Sequence, residues 1–303
     1  MPDAPNAKQV LIICGATATG KTALAIDAAV HLNTEIISCD SRQCYREMNI
    51  GVAKPTQEEL EKVPHHFINS HSIFDAVNAA VFEQYALDMT NKLFSVHDTI
   101  VMVGGTGLYI KAFTEGIDLI PAIDSSIRQR IIESYQSNGF EWLQDIVKAE
   151  DPVYYESGEI KNPQRLMRAL EVIRGTGKSI RSYQLGESVQ RDFTITKIAL
   201  DIPREELNER INRRVDLMME NGLLKEVERL YPYRELAALK TVGYSELFQY
   251  MDGQLRLPDA VERIKINTRQ YAKRQFTWFR KDREVTWIKP GNFNSYLESQ
   301  FAF

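Results

Sequence analysis

Gly15-Ala16-Thr17-Ala18-Thr19-Gly20-Lys21-Thr22 follows the apolar run Val10-Leu11-Ile12-Ile13-Cys14 and opens Ala23-Leu24-Ala25-Ile26-Asp27-Ala28-Ala29-Val30. The first run reads as a buried parallel strand and the last as a helix, which is the strand–loop–helix context that the G-x-x-x-x-G-K-[ST] pattern requires. Glycines at both ends let the backbone bend tightly, so that successive N–H groups and the positive end of the helix converge on an anion. Lys21 adds a point charge, and Thr22 offers a hydroxyl to a bound magnesium ion. A glycine-rich turn without a ligand is the alternative, but it would not need the lysine. The stretch implies a bound diphosphate or triphosphate.

Working outward, Glu35-Ile36-Ile37-Ser38-Cys39 reads as a second strand that ends in Asp40-Ser41-Arg42-Gln43-Cys44-Tyr45. A carboxylate is thereby delivered to the carboxyl end of a sheet strand, the edge where ligands of open α/β sheets collect. Ile50 to Pro55 is a loop, and a short helix separates it from Pro64-His65-His66-Phe67-Ile68. The histidine pair carries no metal reading, because adjacent side chains point apart on a strand and no third ligand follows at useful spacing. Ala79 to Leu93 is helical by its apolar spacing. Thr99-Ile100-Val101-Met102-Val103 is a further apolar strand, running into Gly104-Gly105-Thr106-Gly107-Leu108-Tyr109. No acid ends that strand, where an NTPase usually keeps one, so ATP hydrolysis is not the favoured chemistry.

From about Asp118 strands give way to helices alone. Ile127, Ile131, Ile132 and Tyr135 mark one, Trp142, Leu143, Ile146 and Val147 another, and Leu166, Leu170 and Ile173 a third, stopped by Gly175 and Gly177. Thr194 to Leu200 then resumes the sheet. The expected architecture is an α/β fold, a P-loop NTPase-like parallel sheet flanked by helices, with core segments 1–117 and 198–303 around an all-helical insertion at 118–197. After Pro203, Leu207, Ile211, Val215 and Met218 share a helix face beside Arg210 and Arg214, and a long helix runs from Pro258 to Arg280.

At 303 residues, with 44% hydrophobic and 26% charged, the chain has the composition of a globular protein of one large domain or two. Its net charge of −4 argues against a nucleic-acid partner only until the distribution is read. Arg263 to Arg283 holds eight Lys or Arg against one acid, Asp282, interleaved with Tyr271, Phe276, Trp278 and Phe279, a mixture that can hold phosphates and stack on bases. Cys14, Cys39 and Cys44 show no C-x-x-C spacing and suggest neither a disulfide framework nor a zinc site. Met1 to Gln9 has no signal-peptide core and no apolar run approaches ~18 residues, so a cytoplasmic protein without a membrane partner is expected.

In these residues the chain resembles the tRNA dimethylallyltransferases (tRNA isopentenyltransferases) of bacterial type. The resemblance spans the phosphate loop, Asp40-Ser41-Arg42-Gln43-x-Tyr45, Gly51-x-Ala53-Lys54-Pro55, Pro64-His65-His66, the Gly104 to Tyr109 turn, Asn162-Pro163-Gln164-Arg165-Leu166-x-Arg168, Val242-Gly243-Tyr244 and Thr268-Arg269-Gln270-Tyr271-Ala272-Lys273-Arg274-Gln275. Ala16 departs from the family's usual proline, which backbone donation does not need. The resemblance implies transfer of a dimethylallyl group from its diphosphate to N6 of adenosine 37 in the tRNA anticodon stem-loop, with magnesium as cofactor and a monomer as the working form. By resemblance Asp40 is the general base, Thr106 and Arg214 stabilise the leaving oxygen, and Gly15 to Thr22, with magnesium on Thr22, hold the diphosphate. Asp40, Ser41, Arg42, Gln43, Thr106, Arg128, Gln164, Arg165, Leu166, Met167 and Arg168 would contact the tRNA. Gln43 and the 164 to 168 segment supply groups that can read splayed bases, and the insertion is expected to close on the anticodon arm. The rival from the same fold is a P-loop small-molecule kinase, and a different class of rival is a nucleotide-regulated RNA-binding protein without catalysis.

Overall fold

The computed structural model describes residues 8–118, 120–184, 186 and 188–301. By internal contacts these fall into two compact units, one formed by residues 8–115 and 190–301 and the other by Gly116–Val189.

The first unit is built on six strands: β1 (Gln9–Cys14), β2 (Ile36–Ser38), β3 (His65–His66), β4 (Thr99–Gly104), β5 (Thr194–Leu200) and β6 (Val285–Ile288). They lie in the order β3-β2-β4-β1-β5-β6, and every pairing is parallel. β1 and β4 are buried at every position but the first. Sandwiching a parallel sheet between helices demands such continuous apolar runs rather than alternation. Val10, Ile12 and Cys14 pack on one face of β1, while Leu11 and Ile13 join the cluster on the other with Ala25, Ile26 and Ala29 of α1 (Lys21–His31). The register sets Cys14 beside both Gly104 and Ala199, so the loops after β1, β4 and β5 leave the sheet at one level. The chain moves to one side of β1 for β2 and β3 and to the other for β5. That reversal lies between β1 and β4, where a crevice opens at the carboxyl edge.

Helices α2 (Gln57–Lys62), α3 (Ala79–Leu93) and α4 (Gly107–Glu115) complete the first half of this unit. Helix α3 has the bounds its apolar spacing predicts, and Asn78 caps it by accepting the N–H groups of Ala80 and Val81.

In the second unit, α5 (Ser125–Glu150) is interrupted at Gly139, whose φ of 81° places it in the left-handed region that glycine tolerates. The break separates the two helices that the sequence pattern distinguishes. Helices α6 (Pro152–Ser157) and α7 (Pro163–Thr176) follow, and Ile131, Leu143, Val147, Leu166, Met167 and Leu170 form the unit's core. Gly175 does not stop α7. A Cβ there would meet the Ile123 side chain at 2.5 Å, so the glycine serves packing, and Gly177 at φ 72° ends the helix.

The sheet takes the chain back at Thr194, so residues 194–197, which the sequence division gives to the insertion, belong to β5. Five helices of the first unit remain: α8 (Arg204–Glu220), α9 (Leu223–Leu230), α10 (Tyr244–Met251), α11 (Leu257–Phe279) and α12 (Phe293–Gln300). The sequence reading has neither β6 nor α12, because the four residues of β6 offer too short a pattern and α12 follows it directly.

A buried carboxylate shapes the loop after Tyr45. Glu226 on α9 is 2% exposed and accepts the N–H groups of Asn49 (3.2 Å), Ile50 (2.8 Å) and Gly51 (3.0 Å) together with the Tyr244 hydroxyl (2.5 Å). Gly51 is needed because a Cβ would sit 2.5 Å from the Tyr244 ring. The Val242-Gly243-Tyr244 motif is thus a docking device: Gly243, at φ 95°, starts α10, and Tyr244 lies against Gly51. Replacing Glu226 by alanine leaves four donors without their acceptor, three part-buried N–H groups and the buried Tyr244 hydroxyl, at ~1–3 kcal/mol for each that finds no other. A loss of at least ~3 kcal/mol is expected in urea unfolding, against less for Tyr244→Phe, which keeps the acceptor.

Candidate active site

The phosphate loop is closed on itself in the protein alone. Gly15 and Gly20 have φ of 129° and 92°, and Ala18 also takes a positive φ of 64°. Thr19 Oγ1 and Lys21 Nζ both donate to the Ala16 carbonyl, each at 2.9 Å. Helix α1 starts at Gly20 with no side-chain cap and no acid in its first turn, so its end keeps the positive character that an anion needs. A cavity of about 360 Å³ lies against this loop, lined by Lys21, Thr22, Asp40, Gln43, Arg210 and Arg214 among others.

Helix α8 aims Arg210 and Arg214 there because positions four apart share a face. Arg214 Nη2 donates to Thr17 Oγ1 at 2.7 Å, while its Nε is buried without a partner among the described residues. Arg210 reaches the Thr19 carbonyl at 3.4 Å and pairs with Glu206 at 2.6 Å. The sequence reading noted its spacing but gave it no role. Burial pushes the Lys21 ammonium down to about 8, the nearby Asp40 carboxylate opposing the shift and Arg214 adding to it. Burial likewise lowers Arg214, against Asp40. Two cations therefore share one carboxylate, which is an unbalanced site waiting for negative charge.

Asp40 follows β2, and its Oδ1 accepts the N–H groups of Arg42 at 2.8 Å and Gln43 at 3.3 Å. Those two bonds fix the carboxyl group and leave Oδ2 without a hydrogen bond from the described residues. Asp40, Thr17 and Arg214 also line a second cavity of about 200 Å³, whose other walls include Val52, Val215, Met218, Val242 and Tyr271. Asp40 thus stands where the two hollows meet, the second with more aliphatic lining than the first. Thr106 accepts the Ser41 N–H at 3.0 Å, and burial raises the nearby Tyr271 phenol to about 12.

Several expected contact residues are occupied within the chain. Gln43 donates to the carbonyls of Val52 (3.2 Å) and Ala53 (2.9 Å) and accepts from Ser38, so its amide braces a loop rather than standing ready to read a base. Arg42 donates to the carbonyls of Ala237 and Ala238. In the second unit Leu166 and Met167 are 0% and 3% exposed. Their side chains fill the apolar face of α7 and cannot also touch an RNA. Arg128 and Arg168 both pair with Glu171, at 3.2 and 2.9 Å, Gln164 accepts from Arg128 at 3.0 Å, and Arg165 pairs with Glu159. Glu171 thereby holds two guanidinium groups together on α7's polar side.

The basic stripe of α11 is less free than its charge count suggests. Lys265 pairs with Asp216, Arg269 with Glu262 and Arg280 with Asp201. Phe279 is buried, Phe276 stacks on Trp287, and the indole of Trp278 lies where a Cβ on Gly107 would be. The aromatics serve packing first. Lys273 and Lys281 pair with no acid of the described residues, and Arg274 lies over the Tyr271 ring.

Thr22 lines the phosphate-loop cavity, and its hydroxyl bonds to none of the described residues. No cluster of three His, Cys, Asp or Glu among them could hold a metal by itself. This donor set fits magnesium, which keeps several waters and takes one or two protein oxygens with substrate phosphates. His66 pairs with Glu35 at 2.6 Å and His65 Nδ1 bonds to the Val63 carbonyl at 2.7 Å, while His65 Nε2 is buried without a partner among the described residues. The three cysteines are buried and unpaired, and no helix among the described residues is long and apolar enough to cross a membrane.

Fold and loop together define an α/β protein of the phosphate-loop class, with a carboxylate and two cations at the switch point of its sheet. A model of the IPP transferase family matches residues 43–282. The chain is 47% identical over 292 residues to a tRNA dimethylallyltransferase of Christiangramia forsetii, covering 95% of this chain and 97% of that one, and 43% identical to tRNA dimethylallyltransferase 1 of Bacteroides thetaiotaomicron, covering 95% and 94%. Among solved structures it is similar to the tRNA isopentenylpyrophosphate transferase of Bacillus halodurans, with a TM-score of 0.71 at 35% identity over 96% of this chain and 95% of that one. It is also similar to a eukaryotic dimethylallyltransferase acting on tRNA, with a TM-score of 0.75 at 25% identity over 97% and 77%. This chain belongs to the IPP transferase family.

The depressed Lys21 gives the phosphate loop a pH dependence of known sign. Above pH about 8 the free protein has lost this proton, and a diphosphate must recover it on binding. Affinity for an unreactive diphosphate ester is expected to fall about tenfold per pH unit above that point and to level off below it. Lys21→Ala should bind weakly with a flat profile, as titration calorimetry at several pH values would show.

Proposed function

We propose that this protein transfers a dimethylallyl group from dimethylallyl diphosphate to N6 of adenosine 37, beside the tRNA anticodon, giving N6-isopentenyladenosine and releasing diphosphate. The observation that carries the reading is Asp40, with one carboxylate oxygen pinned and the other open, set between the phosphate-loop cavity and the smaller hollow beside it. Family membership supports the same chemistry.

An amine conjugated to a purine is a poor nucleophile, and an allylic diphosphate leaves only if its developing charge is met. In the proposed step N6 attacks C1 of the dimethylallyl group, the C1–O bond breaks, and Oδ2 of Asp40 takes the amine proton. Lys21, the first-turn N–H groups of α1 and the unpartnered Nε of Arg214 meet the charge on the leaving diphosphate. When bound at Thr22, magnesium would neutralise part of that charge. Thr106, whose hydroxyl already accepts the Ser41 N–H, holds the Asp40 turn in register while its proton is offered to the bridging oxygen. The aliphatic walls of the smaller hollow suit a five-carbon chain. Arg128, Gln164, Arg165 and Arg168 of the second unit are proposed to grip the anticodon arm by exchanging Glu171 and Glu159 for phosphates, and that unit to close on the arm as it does so. The target base must be flipped from its stack to reach Asp40. A monomer in the cytoplasm is the proposed working form.

Incubation with unmodified tRNA and labelled donors tests the assignment. Label from dimethylallyl diphosphate in the tRNA supports it, whereas phosphate transfer from a nucleoside triphosphate without prenylation would replace it with the kinase reading. Asp40→Asn is expected to lose 10²- to 10⁴-fold in single-turnover rate while tRNA affinity stays within a few-fold. A full rate would remove Asp40 from the role of base.

Charge on α11 is proposed to set affinity rather than choice. Lys273→Ala should lower the slope of log K against log salt by roughly 0.7 to 0.9 without altering which tRNAs are modified. Arg280→Ala, whose partner is Asp201, is expected to change the slope less, and filter binding across a salt series separates the two.

A further inference from the structure

We propose that Gln275 is a positioning residue for the transfer step, its carboxamide locking the phosphate loop to the turn that carries Thr106; the inference rests on the transferase reading. Gln275 lies on α11, outside the loops that surround the cavity, and is 7% exposed. Its Oε1 accepts the Thr17 N–H at 2.8 Å, and its Nε2 donates to the Gly105 carbonyl at 2.8 Å. Bridging a backbone donor and a backbone acceptor takes a side chain with one acceptor and one donor on neighbouring atoms. A carboxylate offers acceptors only, and an apolar side chain of the same shape offers neither. The fit is close, since a Cβ on Gly105 would fall 2.2 Å from Nε2.

Both ends of the bridge lead to reacting groups. Thr17, held by its N–H, accepts Arg214 at its hydroxyl, 2.7 Å away. Gly105 precedes Thr106, whose hydroxyl accepts the N–H of Ser41, the residue after Asp40. A single amide therefore fixes the cation that meets the leaving group relative to the carboxylate that takes the proton. A misplacement of ~1 Å between such groups can cost about 100-fold in rate.

The test is a pH profile of the single-turnover rate, with donor and tRNA saturating, for wild type, Gln275→Leu and Gln275→Glu. Gln275→Leu should be 10- to 100-fold slower at every pH, with tRNA affinity within about threefold of wild type. Gln275→Glu should approach the wild-type rate near pH 6. There its carboxyl, raised by burial, is protonated and can donate to Gly105 while accepting from Thr17. Its rate relative to wild type should then fall with rising pH. A wild-type rate for Gln275→Leu, or a flat ratio for Gln275→Glu, overturns the proposal. Gly105→Ala, whose Cβ displaces Nε2, gives a second route: its loss should not add to that of Gln275→Leu, and additive losses count against the bridge. If wild type transfers no prenyl group, the transferase reading fails by itself. The same three proteins then decide the bridge by diphosphate-ester affinity across pH, where an unchanged affinity in Gln275→Leu, or no pH-dependent recovery in Gln275→Glu, overturns it.

Discussion

Lys21 and Arg214 share a single carboxylate, Asp40, in a pocket that takes them from water. Burying two like charges around one opposite charge is unfavourable, and burial accordingly depresses both cations. The fold holds the arrangement by covalent and packing constraints that have nothing to do with charge. β1 and the register with β4 set the loop, β2 delivers Asp40, and Leu207, Ile211 and Val215 anchor α8 so that Arg210 and Arg214 face inward. A polyanion removes the imbalance, and the protein's own interactions do not, as the Lys21 ammonium turned back on the Ala16 carbonyl shows.

That origin explains which parts were legible in the chain. The phosphate loop, the buried strands and α3 follow from local pattern, because a run of apolar residues or a 3.6-residue period is decided within ten or fifteen positions. Asp40 is legible for the same reason, as a carboxylate at a strand's end. The braces are different. Gln275 meets a backbone N–H 258 positions away in sequence, and Glu226 meets three backbone groups about 175 positions away. Backbone partners carry no residue identity, so no pairing signal exists in a single sequence. The glycines opposite them do leave a trace: Gly51, Gly105 and Gly107 stand where Tyr244, Gln275 and Trp278 leave no room for a Cβ.

Motifs that resemblance alone could list thereby acquire separate physical reasons. Val242-Gly243-Tyr244 shapes the 49 to 54 loop through Glu226, and Glu246 ties down the same turn by accepting the Gly243 N–H at 2.8 Å and the Asn267 amide at 2.6 Å. Gln43, which reads in sequence as a recognition group, is a third brace on that loop, since its amide satisfies the carbonyls of Val52 and Ala53. Glutamine suits these positions because it joins a donor and an acceptor in one uncharged group. An ionised Asp or Glu at 43 or 275 would lose the donor.

The basic stripe of α11 shows the limit of counting charge along a chain. Eight cations in twenty-one residues read as an RNA surface, yet Lys265 and Arg280 find acids on other segments, Arg269 finds Glu262 on its own helix, and Phe279 turns into the core while Phe276 stacks on Trp287. A helix that carries both the brace to the phosphate loop and a basic outer face cannot use every position for either task. Gln275, Thr268 and Ala272 take the buried side, which leaves Lys273, Arg274 and Lys281 for the outer one. Even the second unit keeps its arginines on Glu171 and Glu159. On the proposed function, such pairing would cost an RNA some affinity, since each phosphate would have to displace a carboxylate, but it holds the guanidinium groups in place beforehand. Recognition by Arg128, Arg165, Arg168, Arg269 and Arg280 would then be an exchange of partners, and charge would be newly neutralised at Lys273 and Lys281, which pair with no acid of the described residues.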